Sequence, residues 1–300
     1  MSISVVIPAY NAASYIAETL DSVLQQTLPP TEVLVIDDGS TDETANVAER
    51  FASPVKVIRR PNSRAAAARN FGVETATSEW IAFVDADDIW EPSKLERQMA
   101  ELEKHPEADI CYTGRILLMQ KNGMWQLGPV AGVAPASNVR EALFRGTTFL
   151  PSSVVIRRSA FLAVGGYDTS FKYAEDWELW MRLLHSGMKF TSCPEALVQY
   201  RIHAASATHS AVPSFMAAKE VYRRHVFPYL PRLTRWIDYS RFLSLHEGDA
   251  ARTLQKLGDR RALEFSLRCL LHNPFREPYR YRALAGQLYN RIRPKREQAE

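Results

Sequence analysis

The sequence is poor in cysteine and has no long apolar run, and each lack excludes a class of protein. Its three cysteines are far apart and show no CxxC spacing, which argues against a disulfide framework or a cysteine-ligated zinc site and favours a reducing compartment. The opening MSISVVIPAYN has no basic leader. The two charge-free stretches, 1–17 and 123–139, are broken by Pro, Gly, Ser or Asn, so neither is predicted to span a membrane. We therefore predict a soluble, cytoplasmic protein.

Charge is distributed unevenly along the chain. Hydrophobic residues make up 46% and charged residues 24% of the 300 residues, which is typical of a globular protein with a full core. The formal net charge is +3, yet residues 219–300 hold 18 Lys and Arg against 9 Asp and Glu, whereas residues 1–218 hold 19 against 25. An acidic body followed by a basic tail predicts two parts with different partners.

Short apolar runs alternate with helical patterns over the first 113 residues. The predicted strands cover 3–7, 33–36, 55–59, 80–84 and 108–113, and helical patterns separate them. This alternation predicts an α/β fold with an open, mostly parallel sheet flanked by helices.

Three further segments carry local predictions. The run from Ser40 to Glu43 resembles a capping box with Ser40 as the N-cap of a short helix. Residues 123–138 have the composition of a long loop. From Pro213 onward the pattern is helical only, and a helical hairpin is predicted to turn at Gly258.

Acidic residues follow two of the predicted strands. Asp37 and Asp38 end the second strand, and Asp85, Asp87 and Asp88 follow the fourth. Ligands of open α/β sheets bind beyond the carboxyl ends of the strands. The first pair is also compatible with a turn and a helix cap. The second cluster is compatible with a structural role, but carboxylates this close repel one another unless a hard divalent cation such as Mg²⁺ or Mn²⁺ holds them together.

A second acidic feature, Glu175-Asp176, opens an amphipathic helix. Two interpretations are open. Negative charge is favoured at a helix N-terminus, or one carboxylate is a general base whose pKa is raised by the dry surroundings of Trp177 and Trp180.

Six motifs occur in a characteristic order: SVVIPAYN at 4–11, EVLVIDDGSTDET at 32–44, ARN at 68–70, WIAFVDADD at 80–88, EDWELWMRL at 175–183 and YRIH at 200–203. Together they resemble glycosyltransferase family 2, the inverting enzymes with a GT-A fold, over about residues 2–210. A dinucleotide-dependent dehydrogenase is excluded because the turn after the first strand lacks GxGxxG.

The resemblance implies a nucleotide pocket at the ends of the first two strands. Pro8, Tyr10 and Asn11 match the lining of the nucleobase pocket. Asp38 matches the aspartate that hydrogen-bonds uracil or thymine, with Asp37 as its neighbour.

The resemblance also implies roles in donor binding, metal binding and catalysis. Arg69 matches a basic residue near the nucleotide. Asp85, followed by Ala86, matches the start of the DxD motif that contacts ribose or sugar, and Asp87 matches the aspartate that holds the metal. His203 matches a histidine near the metal or diphosphate, although a lone histidine is as often structural. Asp176 matches the catalytic base.

The implied function is metal-dependent, inverting sugar transfer. The donor would be a UDP- or dTDP-sugar, the cofactor Mn²⁺ or Mg²⁺, and the acceptor a hydroxyl of a glycan, a lipid-linked glycan or another molecule, in cell-surface glycan or polysaccharide biosynthesis. The alternative is a non-catalytic sugar-nucleotide or glycan-binding protein with the same fold. One departure is Arg64, which stands where family members often have the glycine of N-x-G, and it bears on donor identity.

The expected organisation is a GT-A catalytic domain over residues 1–212 and a basic α-helical extension over 213–300. The catalytic domain would comprise a nucleotide-binding half, 1–113, and an acceptor half, 114–212. Basic helices with interfacial aromatics are compatible with peripheral contact to the inner face of the cell membrane. The simpler interpretation is an ordinary helical cap with a solvated face. Nucleic acid is not an expected partner, since no recognised binding motif accompanies the charge.

Overall fold

The computed structural model describes residues 1–121, 123–146, 149–203 and 210–272. Its internal contacts divide the chain into two units, residues 1–204 and 205–300. The predicted boundary after residue 212 falls inside the first helix of the second unit, which begins at Ala211. Residues 273–300 of the predicted extension lie outside the described residues.

Within the described residues the first unit is built on a nine-stranded sheet. Its strands are β1 (Ile3–Ala9), β2 (Glu32–Asp37), β3 (Val55–Arg59), β4 (Trp80–Phe83), β5 (Ile89–Trp90), β6 (Ile110–Lys121), β7 (Met124–Ala131), β8 (Val154–Arg157) and β9 (Phe190–Ile202). The order is β3-β2-β1-β4-β8-β6-β9-β5, and β7 pairs with β6. The first four strands of this order are parallel, whereas β8 is antiparallel to both of its neighbours.

Seven helices flank this sheet among the described residues of the first unit. They are α1 (Ile16–Leu24), α2 (Thr44–Ala48), α3 (Arg64–Thr75), α4 (Lys94–Lys104), α5 (Val139–Arg145), α6 (Arg158–Ala163) and α7 (Glu175–His185). Every residue of β1 is buried, as expected for a strand covered on both faces. Helix α3 lies close to β1, because a Cβ on Gly72 would be 2.4 Å from Cγ1 of Val6. This close packing sets the position of Arg69 one turn earlier.

Two local predictions were wrong. Residues 124–131 are not a loop, because they form β7, which pairs antiparallel with β6. The short helix α2 begins at Thr44 without a side-chain cap, so Ser40 is not its N-cap. The Ser40 hydroxyl instead accepts a hydrogen bond from the backbone N–H of Asn11 at 3.0 Å. This bond joins the segment after β1 to the segment after β2.

The described residues of the second unit form helices joined by short turns, and none of them lies in a strand. It contains α8 (Ala211–Val221), α9 (Arg235–Lys256) and α10 (Ala262–His272). Helices α9 and α10 form the predicted hairpin, which turns at Gly258 with a φ of +68°. Glu247 and His272 join its two helices through a 2.7 Å contact. No helix in the described parts of the chain is both long and apolar enough to cross a lipid bilayer.

Candidate active site

The acidic strand ends predicted from the sequence lie at one edge of the sheet. In the parallel register Ala9 is paired with Asp37, and Val6 with Phe83. The ends of β1, β2 and β4 are therefore adjacent, and Asp85 follows β4 by two residues. Parallel pairing brings residues far apart in sequence to the same edge.

The Asp38 carboxylate is buried and is bound by the segment that enters α3. Both of its oxygens accept from the backbone N–H of Ser63, at 3.0 and 2.9 Å, and Oδ1 also accepts from the Ser63 hydroxyl at 2.8 Å. The Nε of Arg60 lies 3.8 Å from Oδ1. Asp38 is thus held in one orientation beside the neighbouring Asp37, which accepts from the Ser40 N–H at 3.3 Å.

Asn11 connects the end of β1 to the loop after β2. Its side-chain carbonyl accepts from the backbone N–H of Thr41 at 2.8 Å, in addition to the bond between its own N–H and Ser40. Pro8 lies in β1, and the Tyr10 ring is exposed beside Asn11. These contacts tie together the backbone segments that carry the residues of the predicted nucleobase pocket, and the Tyr10 ring remains exposed beside them.

Arg69 links the acidic turn after β4 to the start of α7. The buried guanidinium donates to Oδ1 of Asp85 at 2.5 Å, and its Nη1 lies 3.5 Å from Oε1 of Glu175. The Tyr167 ring lies beneath it at 5.3 Å. Burial opposes the charge, yet Asp85 raises the pKa of Arg69 overall. The arginine therefore remains a fixed cation between two carboxylates.

Glu175 and Asp176 occupy the first turn of α7. Burial, and then the charge of Asp176, raise the pKa of Glu175 to about 7, while Arg69 opposes this rise. Oδ1 of Asp176 accepts from the backbone N–H of Trp177 at 2.7 Å. The Trp177 side chain is buried, and its Nε1 donates to the carbonyl oxygen of Leu143 at 2.7 Å, which anchors the first turn of α7.

Asp87 and His203 are in direct contact. The Nε2 atom of His203 lies 2.8 Å from Oδ2 of Asp87, and the imidazole stacks on the Tyr15 ring at 4.9 Å. Burial and the charge of Asp85 raise the pKa of Asp87, while His203 opposes the rise. Two side chains with metal-ligand chemistry are therefore adjacent in a region where a cation would relieve repulsion between carboxylates.

Asp88, the third carboxylate of the turn, has a structural role. It is fully buried and accepts from the Ser152 hydroxyl at 2.5 Å and from the backbone N–H of Arg201 at 3.1 Å. Ser152 in turn accepts from the Asp85 N–H at 3.0 Å, and the carbonyl oxygen of Ala86 accepts from Thr19 at 3.0 Å. Burial, with the charges of Asp87 and Asp85, raises the pKa of Asp88 well above its usual value. These bonds fix the backbone that carries Asp85 and Asp87.

Arg201 lies between two aromatic rings that the sequence did not single out. Its guanidinium is 4.9 Å from the Tyr15 ring centre and 5.1 Å from that of Trp125, and it pairs with Glu18 at 2.5 Å. Trp125 lies on β7, a strand whose composition is typical of a loop. Because loop composition hid this strand, no sequence signal pointed to Trp125, whereas Arg201 stands inside the YRIH motif.

Three residues other than glycine adopt a left-handed backbone among the described residues. One is a predicted site residue, and the other two directly adjoin residues that contact or neighbour the predicted site. They are Asn11, Arg64 and Ala174, with φ of +50°, +74° and +57°. Arg64 occupies the position where the resemblance leads one to expect glycine, which adopts this conformation freely. Ala174 directly precedes Glu175. Strained backbone of this kind is common at functional sites, where the surrounding fold enforces it.

The contacts gather the predicted residues into three small groups. Pro8, Tyr10, Asn11, Asp37 and Asp38 lie at the ends of β1 and β2; Arg69 joins Asp85 to Glu175, the neighbour of Asp176; and Asp87 is joined to His203. The backbone of 85–88 connects the last two groups. Sequence reasoning missed Ser63, Ser152 and Tyr15, whose residue types are too common to attract attention without the fold.

Comparisons with known proteins place this geometry in a fold class. S. aureus TarS 1–349 in complex with UDP-GlcNAc superposes with a TM-score of 0.64 at 19% identity, covering 99% of this chain and 93% of that one. The mannosyltransferase PcManGT of Pyrobaculum calidifontis, in complex with GDP-Man and Mn²⁺, gives 0.61 at 17% identity, covering 97% and 80%. The predicted GT-A fold, with helices at the carboxyl end of the chain, is confirmed.

The family follows from the sequence comparisons. The model of glycosyl transferase family 2 matches residues 4–163, which is more than half of the chain, and the chain belongs to that family. The amylovoran biosynthesis glycosyltransferase AmsB of Erwinia amylovora is 29% identical over 212 residues, which are 67% of this chain and 70% of that protein. The resemblance inferred from the six motifs is thereby confirmed.

Proposed function

We propose that this chain is an inverting glycosyltransferase that moves a sugar from a UDP- or dTDP-sugar to an acceptor hydroxyl. The observation that carries this proposal is the bridge from Asp85 through Arg69 to Glu175. It ties the predicted donor-binding turn to the helix turn that holds the predicted base, Asp176. The biosynthetic role named for AmsB supports an acceptor in a polysaccharide or cell-surface glycan.

The proposed chemistry is a single in-line displacement. Asp176 takes the proton of the acceptor hydroxyl as its oxygen bonds to the anomeric carbon. The bond from that carbon to the diphosphate breaks, so the configuration inverts and a nucleoside diphosphate leaves. No carboxylic acid is needed to protonate this leaving group, in contrast to the alcohol released by a glycosidase.

A divalent cation is part of the proposal. Among the residues that the structure describes, no group of three or more His, Cys, Asp or Glu side chains is arranged as a metal site. The adjacent Asp87 and His203 nevertheless fit an ion that takes its remaining ligands from substrate phosphates and water. When bound, Mn²⁺ or Mg²⁺ supplies charge neutralisation at the diphosphate. The Mn²⁺ in the PcManGT complex supports this choice.

The location proposed with this activity is the cytoplasm, with peripheral contact to the inner face of the cell membrane through residues 213–300. The excess of Lys and Arg after residue 218 supports it, because basic segments are attracted to anionic lipid surfaces.

Substitution of the predicted base tests the reaction directly. Asp176→Asn is expected to lower transfer roughly 10²–10⁴-fold, the usual contribution of a general base, and to leave donor binding intact. Asp21→Asn, the same change at an exposed aspartate of α1, is the matched control and should retain its activity. A screen of UDP-, dTDP- and GDP-sugars with Mn²⁺ supplies the donor for both measurements.

Two outcomes would count against the proposal. Undiminished transfer by Asp176→Asn would remove that residue from the role of base. Donor binding without transfer or hydrolysis of any sugar nucleotide by the unmodified protein would favour the alternative of a non-catalytic binding protein.

A further inference from the structure

An exposed apolar surface lies at the start of α9. Leu233, Trp236 and Ile237 are 95%, 67% and 54% exposed. The backbone N–H groups of Thr234 and Arg235 both donate to the carbonyl of residue 231, at 3.1 and 2.9 Å, so the preceding turn runs into the helix. Spacing of three and four residues places the three apolar side chains on one side of this turn. We call Leu233, Trp236 and Ile237 the α9 tip.

Two aromatic rings support Trp236 within the α9 tip. The Trp236 ring packs edge-on against Phe227 with centroids 4.8 Å apart, and it also contacts the ring of Tyr239 at 6.3 Å. Trp236 is therefore supported on one face while most of its surface remains exposed. A large ring supported in this way loses little conformational entropy when its exposed surface is covered.

Positive charge surrounds the tip. Residues 219–241 contain six Lys and Arg against two Asp and Glu. Arg232 is exposed, and the guanidinium of Arg235 lies 5.5 Å over the Phe227 ring. Among the described residues, the salt bridges formed by this segment involve other arginines and leave Arg232 and Arg235 without a carboxylate. Their charge is therefore available to an anionic partner.

We propose that the α9 tip inserts into the interface of an anionic lipid bilayer while Arg232 and Arg235 bind lipid phosphates. Apolar and tryptophan side chains flanked by arginines are the composition of segments that lie in the membrane interface. Each basic residue near an anionic leaflet adds attraction. A second copy of this chain is a poorer occupant, because pairing two tips would bring the same positive charges together. This inference rests on the peripheral location proposed above and not on the transfer chemistry.

Vesicle binding by the full chain tests the surface. We expect binding to vesicles of phosphatidylglycerol and phosphatidylcholine in a 3:7 ratio, and weak binding to phosphatidylcholine alone. The double variant Leu233→Ser/Ile237→Ser should bind at least tenfold more weakly, since it removes the apolar surface of a leucine that is 95% exposed and of an isoleucine that is 54% exposed. Circular dichroism of the variant should match that of the unmodified protein. Leu257→Ser, which changes a leucine that is 60% exposed at the other end of α9, is the matched control and should bind normally.

Two further measurements separate insertion from surface attraction. Trp236 emission should be quenched by lipids brominated in the acyl chains, and the quenching should shrink in Trp236→Phe. The double variant Arg232→Ser/Arg235→Ser should bind the anionic vesicles at least tenfold more weakly. Three results would overturn the proposal. They are vesicle binding that does not depend on anionic lipid, a loss of vesicle binding in Leu257→Ser as large as in the Leu233/Ile237 double variant, and a dimer in solution that dissociates when the α9 tip is substituted.

The same variants distinguish this inference from the proposed function. Donor hydrolysis in solution needs no membrane, so the tip variants should retain it. If hydrolysis is absent while vesicle binding follows the expected pattern, the transferase proposal fails and the membrane surface stands. If hydrolysis is present and vesicle binding is absent, the membrane surface fails and the transferase proposal stands.

Discussion

Removal of Arg69 should destabilise the first unit in a pH-dependent way. In Arg69→Met, Asp85 and Glu175 lose the cation between them. Breaking a buried ion pair by removing one partner costs about 3–5 kcal/mol. The side chains of Asp85 and Glu175 are 29% and 20% exposed, so water compensates in part. We therefore expect the free energy of unfolding to fall by about 3 kcal/mol, the lower limit of that range.

The pH dependence comes from Glu175, whose pKa in the folded protein is about 7 against an ordinary 4.5. An acid whose pKa is raised by folding costs stability as pH rises from its unfolded to its folded value. Arg69 opposes this rise, so its removal moves the pKa of Glu175 above 7. The variant then continues to lose stability above pH 7, where the unmodified protein no longer does, by about 1.4 kcal/mol per pH unit.

Urea unfolding at pH 6 and pH 8, followed by tryptophan emission, measures both quantities. Five of the six tryptophans lie in residues 1–204, so the signal reports mainly on the first unit. Adding Glu175→Gln to Arg69→Met should remove the pH-dependent part of the loss, while Arg97→Met, a change to an exposed arginine, should leave stability unchanged. A loss below about 1 kcal/mol, or one equal at both pH values, would refute this reasoning.

Two more predictions concern stability. Burial lowers the pKa of Lys94 to about 7, and its amino group lies 3.8 Å over the Trp90 ring without a hydrogen-bond partner in the described structure. The free energy of unfolding of the unmodified protein should therefore rise, relative to that of Lys94→Met, by about 1.4 kcal/mol per pH unit between pH 7 and 10. A difference in urea unfolding that does not change with pH would contradict this prediction. Arg64→Gly should raise the free energy of unfolding by roughly 0.5–1 kcal/mol, because relief of the left-handed backbone exceeds the entropy that glycine adds to the unfolded chain. Arg64→Ala should bring no gain in the same urea unfolding measurement, and a gain equal to that of Arg64→Gly would show that the backbone is not strained.

Much of the fold was predictable because its central strands are buried on both faces. The continuous apolar run of β1 and the acidic residues after β2 and β4 located the strands and their carboxyl ends. The hairpin of β6 and β7 could not be predicted, because β7 is largely exposed and contains glycine and proline. The pairing of β7 depends on its partner strand rather than on its own composition.

The candidate site was predictable in its residues but not in its contacts. The motifs identified Asp38, Arg69 and Asp87, yet nothing in the sequence indicated that Ser63 binds Asp38 or that Arg69 spans two carboxylates. Such contacts join residues that lie on different elements, and only the packing of α3 on β1 brings them together.

The residues with a left-handed backbone also indicate where the first unit should begin to unfold locally on heating. Arg64 and Ala174 stand on separate segments, and each is kept out of its preferred conformation by its surroundings, whereas the residue type of Asn11 tolerates a left-handed backbone. Relaxation of Arg64 or Ala174 releases local strain while the sheet behind it remains paired. We therefore expect thermal inactivation to precede unfolding of the sheet, so that the temperature range of the enzyme is set by the rim of its site rather than by its core.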